Sequence, residues 1–150
     1  MTGQRECSRS DLNPHWIVTI AIALSVVAYV AVCHLFGAEI QADIGESQRV
    51  LIRTVLYALA IVIFPVTSLL RYISLRLNQT MPGDKPAKNR YLVTIIVTQA
   101  MIETVALFGL VMFVLGDDFN TLYIFSSMAG LGVFLHRPKM DEYLGIVEVL

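Results

Sequence analysis

The sequence predicts an all-α integral membrane protein, a single bundle of four transmembrane helices with both chain ends in the cytoplasm. Three observations predict it. Of 150 residues, 56% are hydrophobic and only 15% charged, against about 25% charged in an ordinary soluble domain. The apolar residues gather into four runs, and 22 of the 23 charged residues lie outside them. The basic residues divide nine to two between the two sides that four crossings create, and an excess of Lys and Arg marks the cytoplasmic side.

Each element follows in chain order. Residues 17–36 form a 20-residue run without Asp, Glu, Lys or Arg, and with Trp16 they predict the first helix at 16–36. Residues 54–70 are a second such run, and 50–52 extend it outward to a helix over 50–70. Residues 91–115 hold 25 positions with one charge, and 119–135 hold 17 with none. About 20 mostly apolar residues, with a range of roughly 17–25, cross the hydrocarbon as a helix. Membrane strands alternate apolar and polar residues over about 10 positions, and these runs do not alternate.

The first run is expected to be retained. Arg5 and Arg9 precede it as they would a signal peptide, but its apolar stretch is long and no A-x-A site follows. The domain is then 1–150, with a cytoplasmic tail over 1–15 and another over 136–150.

Arg5, Arg9, Arg71, Arg76, Lys85, Lys88, Arg90, Arg137 and Lys139 fall on the inner side, and Arg49 and Arg53 on the outer. Two short outer loops are expected at 37–49 and 116–118. Trp16, Tyr72 and Tyr91 are placed at the inner ends and Phe36, Phe119 and Tyr123 near the outer ends, as interfacial anchors. The inner loop over 71–90 holds the Pro82-Gly83 turn signal. In the C-terminal tail, Met140, Tyr143, Leu144 and Val147 recur at helical spacing, which predicts a short interfacial helix. Ala21-x-x-x-Ser25, Ala100-x-x-x-Thr104 and Ser126-x-x-x-Gly130 are small-residue pairs of the type that lets helices approach.

Several function classes find no support. A net charge of −1 gives no basic field for nucleic acid. Cys7 and Cys33 are expected on opposite sides of the bilayer, and His15, His34 and His136 are scattered without ligand spacing. No metal or cofactor is therefore expected. No P-loop, dinucleotide fingerprint or nucleophile elbow is present, and no enzymatic activity is expected.

Glu103 carries the functional reading. It stands twelve residues from each end of the third run. A charged side chain at that depth costs at least about 2.5–3.5 kcal/mol, so it is expected neutral unless a cation or donor network sits beside it. Polar residues at similar depth predict such a network. Ser25 is mid-way along the first helix and Ser126 and Ser127 along the fourth. Pro65 lacks an N–H and so frees the Ile61 carbonyl. Gln99 lies one turn before Glu103 on the same face, and Thr104 is adjacent. The candidate proton or cation site is thus Glu103, Gln99, Thr104, Ser25, Ser126 and Ser127.

The segment Gln99-Ala-Met-Ile-Glu103-Thr-Val-Ala-Leu-Phe-Gly109, with the apolar run to Leu115, resembles the carboxylate helix of the proteolipid subunit c of rotary ATPases. In that family a mid-membrane acid carries H⁺ or Na⁺. The resemblance implies that Glu103 is the ion-carrying acid and Thr104 an adjacent hydroxyl ligand. The second helix differs from that family's glycine-rich partner helix, since 50–70 contain no glycine and include Pro65. In size and helix count the chain also resembles small bacterial four-helix membrane proteins, which implies a multi-pass protein of the bacterial inner membrane.

The function expected is that of a small subunit or accessory protein in a membrane complex, with Glu103 binding a proton or cation. One alternative is a structural or assembly protein in which Glu103 is a protonated packing residue. Another is a small oligomeric transporter. The partners expected are the lipid bilayer and other membrane subunits or further copies of the chain.

Overall fold

The computed structural model describes residues 12–81, 83 and 85–147; Arg5, Cys7 and Arg9 lie outside the described residues. Five helices follow one another: α1 (Asn13–Ile40), α2 (Glu46–Thr80), α3 (Ala87–Val114), α4 (Phe119–Leu135) and α5 (Met140–Val147). No strand occurs among the described residues, as the apolar periodicity predicts. Helices α1, α2 and α3 are long and apolar enough to cross a membrane, and α4 is a shorter apolar helix of 17 residues.

The fourth helix has its expected bounds, the first two overrun the expected 16–36 and 50–70 at both ends, and the third starts four residues before the expected 91–115 and stops one residue short of it. Charge ends an apolar run, but it does not end a helix. Arg and Leu are good helix formers, so α2 continues through Arg71 and Arg76 and stops at Thr80, just before Pro82-Gly83 in the sequence. At about 1.5 Å per residue, its 35 residues span roughly 52 Å, well beyond the hydrocarbon thickness of about 30 Å. The expected inner loop of 71–90 shrinks to the few residues between α2 and α3. Pro14 lies in the first turn of α1, where its fixed φ suits helix initiation.

Helix α3 is central and touches each of the other four. Its contacts fix the directions of its neighbours. On α1, Ser25 meets Glu103 and Gly37 meets Phe113, so α1 and α3 run parallel. On α2, Arg53 meets Asp117 and Asn78 meets Thr94, so α2 runs opposite. On α4, Gly132 meets Ile102 and Phe125 meets Gly109, so α4 also runs opposite. One end of the molecule therefore gathers Leu12, the α2–α3 connection and α5. The other gathers the α1–α2 and α3–α4 connections.

The main core joins Ile102, Val105 and Ala106 of α3 to Val26, Ala60, Phe125 and Ala129. Tyr57 stacks on Phe125 with ring centroids 4.6 Å apart. Close approach rests on Gly109 and Gly132. A Cβ on Gly109 would stand 2.8 Å from Phe125 Cβ, and one on Gly132 would stand 2.7 Å from Ile102 Cγ2. The predicted small-residue pairs do not make these contacts: Ala21, Ala100 and Gly130 are exposed. Spacing alone does not show which member of a pair meets a neighbour: Ser25 reaches Glu103 on α3, whereas Ala21 is exposed.

The far end is tied by polar contacts. Gly116 has φ +88° and meets the Ala42 carbonyl where a Cβ would come within 2.8 Å. Asp117 is buried and pairs with Arg53 at 3.2 Å. Asp118 caps α4 by accepting from the Thr121 N–H at 3.2 Å.

At the near end, the C-terminal tail forms the short helix α5, which packs onto α2 and α3. Tyr143 and Ile146 are buried with Leu12, Ala87, Tyr91 and Ile95. Tyr91, expected as an interfacial anchor, is fully buried, whereas Trp16 and Tyr72 are exposed. The short tail supplied an apolar face that Tyr91 could bury.

Candidate functional site

Glu103 lies about 18 Å along the helix axis from Tyr91 and roughly 17 Å from Val114, at about 1.5 Å per residue. It projects from α3 toward α1. Two hydroxyls of α1, one turn apart, converge on the same carboxylate oxygen. Tyr29 Oη donates to Glu103 Oε1 at 2.6 Å, and Ser25 Oγ donates to it at 2.7 Å. Hydroxyl-to-carboxylate bonds run to about 2.5–2.7 Å, so both distances suit a charge-assisted bond. Ser25 Oγ also lies 2.8 Å from the Ile22 carbonyl of its own helix. A serine hydroxyl has one proton, so it donates to either oxygen in turn.

Glu103 is half-buried, and its Oε2 has no hydrogen-bond partner among the described residues and is not enclosed. The neighbouring α3 residues Ile96 and Leu107 are exposed. Glu103 therefore lies at the edge of the α1–α3 seam, with one oxygen held by the protein and the other open to what surrounds the chain. No hydrogen bond or ion pair joins it to a Lys or Arg among the described residues.

The other expected members of the cluster lie elsewhere. Gln99 is fully buried and donates through Nε2 to the Val133 and His136 carbonyls at 3.5 and 3.1 Å, which places its amide in the α3–α4 interface. Thr104 Oγ1 donates to the Ala100 carbonyl at 3.1 Å. Ser126 and Ser127 line a groove of about 650 Å³ between α1 and α4. On α1 that groove is bounded by Ala23, Val27 and Ala31, which lie on the opposite side of the helix from Ser25 and Tyr29. Ile61 and Pro65 are exposed on α2. Depth was readable from position along each run, but facing direction was not. Of the named partners only Ser25 reaches Glu103, and Tyr29 is the partner that sequence reasoning missed. Its signal was the four-residue spacing from Ser25, which puts both hydroxyls on one face of α1.

A second polar constellation holds the near end. Arg71 is 6% exposed. It donates to the His136 carbonyl, to the Arg137 carbonyl at 2.9 Å and to Glu142 Oε2 at 2.6 Å. Tyr91 Oη donates to Glu142 Oε2 at 3.0 Å and accepts from the Lys139 N–H at 2.9 Å. His136 Nδ1 lies 2.9 Å from the Gly132 carbonyl and Nε2 lies 3.3 Å from Ser68 Oγ. The carbonyl can only accept, so the ring is protonated at Nδ1 and Ser68 donates to Nε2. Burial is the main cause holding the His136 imidazole below its ordinary value, with Arg71 and Lys139 acting in the same direction. These contacts fasten α5 and the α4–α5 connection to α2 and α3.

No set of three or more His, Cys, Asp or Glu residues able to hold a metal occurs among the described residues. Cys33 is a free, buried thiol packed with Phe113 and Leu122. Comparison with protein-family models, with curated proteins and with solved structures finds no match.

Proposed function

We propose that this chain is a small multi-pass membrane subunit or accessory protein in which Glu103 is an exchangeable site for a proton or cation. The observation that carries the reading is the asymmetry of the carboxyl group. Two hydroxyls fix Oε1, and Oε2 is left unbonded at the edge of a seam in the apolar part of the chain. An acid that exchanges a proton needs an oxygen that its surroundings can reach.

The chain crosses the membrane four times, with both termini cytoplasmic. Support comes from the nine-to-two division of basic residues and from the alternation of helix directions about α3, which puts Leu12 and α5 at one end. In a bacterial inner membrane the short, acidic far-end loops would face outward. The open Oε2 suits an adjoining subunit or a second copy covering the α1–α3 seam, as in the proteolipid-like reading of residues 99–115.

One observation favours a structural alternative. Tyr29 and Ser25 bridge α1 to α3 through Glu103, and interhelical bonds of this kind contribute about 0.6 kcal/mol each in membranes. Labelling the membrane-embedded protein with a hydrophobic carbodiimide across pH separates the two. Modification that falls as pH rises and is absent in Glu103→Gln is expected of an exchangeable acid. A structural acid gives no Glu103-dependent labelling, or labelling that does not change with pH.

A further inference from the structure

The oxygens around Glu103 decide which ion the site takes. Four of them stand close together: Glu103 Oε1, Tyr29 Oη, Ser25 Oγ and the Ile22 carbonyl. They are spaced at 2.6, 2.7 and 2.8 Å. These are hydrogen-bond distances, with the Tyr29 proton and the single Ser25 proton shared over the three contacts, and they leave no space for a cation among them. Hard cations gather about six or more oxygens at roughly 2.0–2.6 Å from the ion. The side chains able to complete such a shell are directed elsewhere. Thr104 Oγ1 is turned onto the Ala100 carbonyl, Gln99 is held at the Val133 and His136 carbonyls, and Ser126 and Ser127 line the groove on the other side of α1.

The same frame accommodates either protonation state without moving a heavy atom. When Glu103 is ionised, Tyr29 and Ser25 both donate to Oε1. When it is neutral, with its proton on Oε2, Oε1 is the carbonyl oxygen. Tyr29 continues to donate to it, and the Ser25 hydroxyl is free to turn to the Ile22 carbonyl 2.8 Å away. One hydroxyl rotation distinguishes the two states.

Resting on the reading of Glu103 as an exchangeable carboxyl, we propose that this site is specific for the proton and excludes metal cations, with Tyr29 as the positioning residue that holds Oε1 while Oε2 exchanges. On release the Oε2–H bond breaks, its electron pair stays on Oε2, and the proton passes to water at the open edge of the α1–α3 seam. Uptake is the reverse. Tyr29 donates its only proton to Glu103 and supports the anion most. A hydrogen bond contributes about 1.5–3 kcal/mol to a charged group and about 0.5–1.5 to a neutral one, a difference of about 1–1.5 kcal/mol, equivalent to roughly five- to tenfold in proton concentration at half-labelling.

The test uses the full-length chain in liposomes, labelled with a hydrophobic carbodiimide across pH in sodium, potassium or choline chloride at equal ionic strength. The same series is run with Tyr29→Phe, and Glu103→Gln serves as the blank. The proposal predicts identical pH profiles in the three salts. It also predicts that Tyr29→Phe remains labelled to higher pH, with roughly five- to tenfold lower proton concentration at half-labelling. A purely structural role for Tyr29 would change the folded yield and leave the profile of the folded fraction in place, and that result overturns the proposal. Protection by Na⁺ at fixed pH overturns it too, while leaving Glu103 as an exchangeable site. Absence of Glu103-dependent labelling at every pH removes both readings together.

Discussion

At Glu103 two hydroxyls of α1 converge on one carboxylate oxygen, Tyr29 Oη at 2.6 Å and Ser25 Oγ at 2.7 Å. A hydrogen bond to a charged group contributes about 1.5–3 kcal/mol, so loss of either hydroxyl is expected to weaken the hold of α1 on the carboxyl group. Gly109 is a packing counterpart at the same scale. Its α-carbon faces Phe125 Cβ and the Leu122 carbonyl, which an added Cβ would approach to 2.8 and 3.3 Å. Neither neighbour is the flexible end of a side chain. Gly109→Ala is expected to destabilise the α3–α4 contact by about 1–3 kcal/mol, the usual cost of overpacking, read as a lower thermal midpoint in detergent. Gly130→Ala, where nothing lies within 4 Å, is expected to leave the midpoint unchanged.

Among the elements, α5 depends most on polar chemistry. Its eight residues are too few to be a stable helix in isolation. It is held by burial of Tyr143 and Ile146 and by the Arg71–Glu142 pair. Removing one partner of a buried pair costs about 3–5 kcal/mol, reduced here because Glu142 is 20% exposed. Glu142→Gln is expected to speed amide exchange through α5 while α4 keeps its protection; equal protection in both helices would show that the pair does not fasten α5. His136 adds a pH dependence. Arg71 from α2, Glu142 from α5 and Lys139 from the connection all face it. Its folded value lies below the ordinary 6.5, so the unfolded state binds the proton more readily. The contribution is complete above about pH 6.5 and is lost progressively as pH falls toward the lower folded value. Exchange protection of α5, corrected for intrinsic rates, should be weaker at pH 5.5 than at 7.5. His136→Gln should lose that dependence.

Across the whole molecule, sequence and structure agree on the apolar helices and differ on what joins them. The helices were legible because hydrophobic runs and their lengths are local properties. Glu103 was legible because one charge in a run of 25 residues stands out. Tyr29 was not, because a tyrosine in an apolar run looks like a lipid-facing residue and its partner lies 74 positions away. The packing glycines were confused with other small residues because spacing does not show which face meets a neighbour. The near-end clamp was missed because Arg71 and Glu142, 71 positions apart, each read as ordinary solvated charge. The proposed orientation is checked by thiol labelling of intact cells. Cys7 is expected to react only with reagents that cross the membrane, Cys33 to stay unreactive because it is fully buried, and a cysteine at exposed Ser47 to react from outside. The reverse pattern for Cys7 and Ser47→Cys would invert the topology.

The most direct test of Glu103 as an exchanging acid is infrared difference spectroscopy of the full-length protein in lipid, recorded between low and high pH. A protonated carboxyl gives a carbonyl band that its anion lacks. The expected result is a band that disappears as pH rises and is missing from the spectrum of Glu103→Gln. A spectrum of the wild-type protein with no Glu103-dependent change over the whole pH range would contradict it, because the carboxyl would then hold one protonation state throughout.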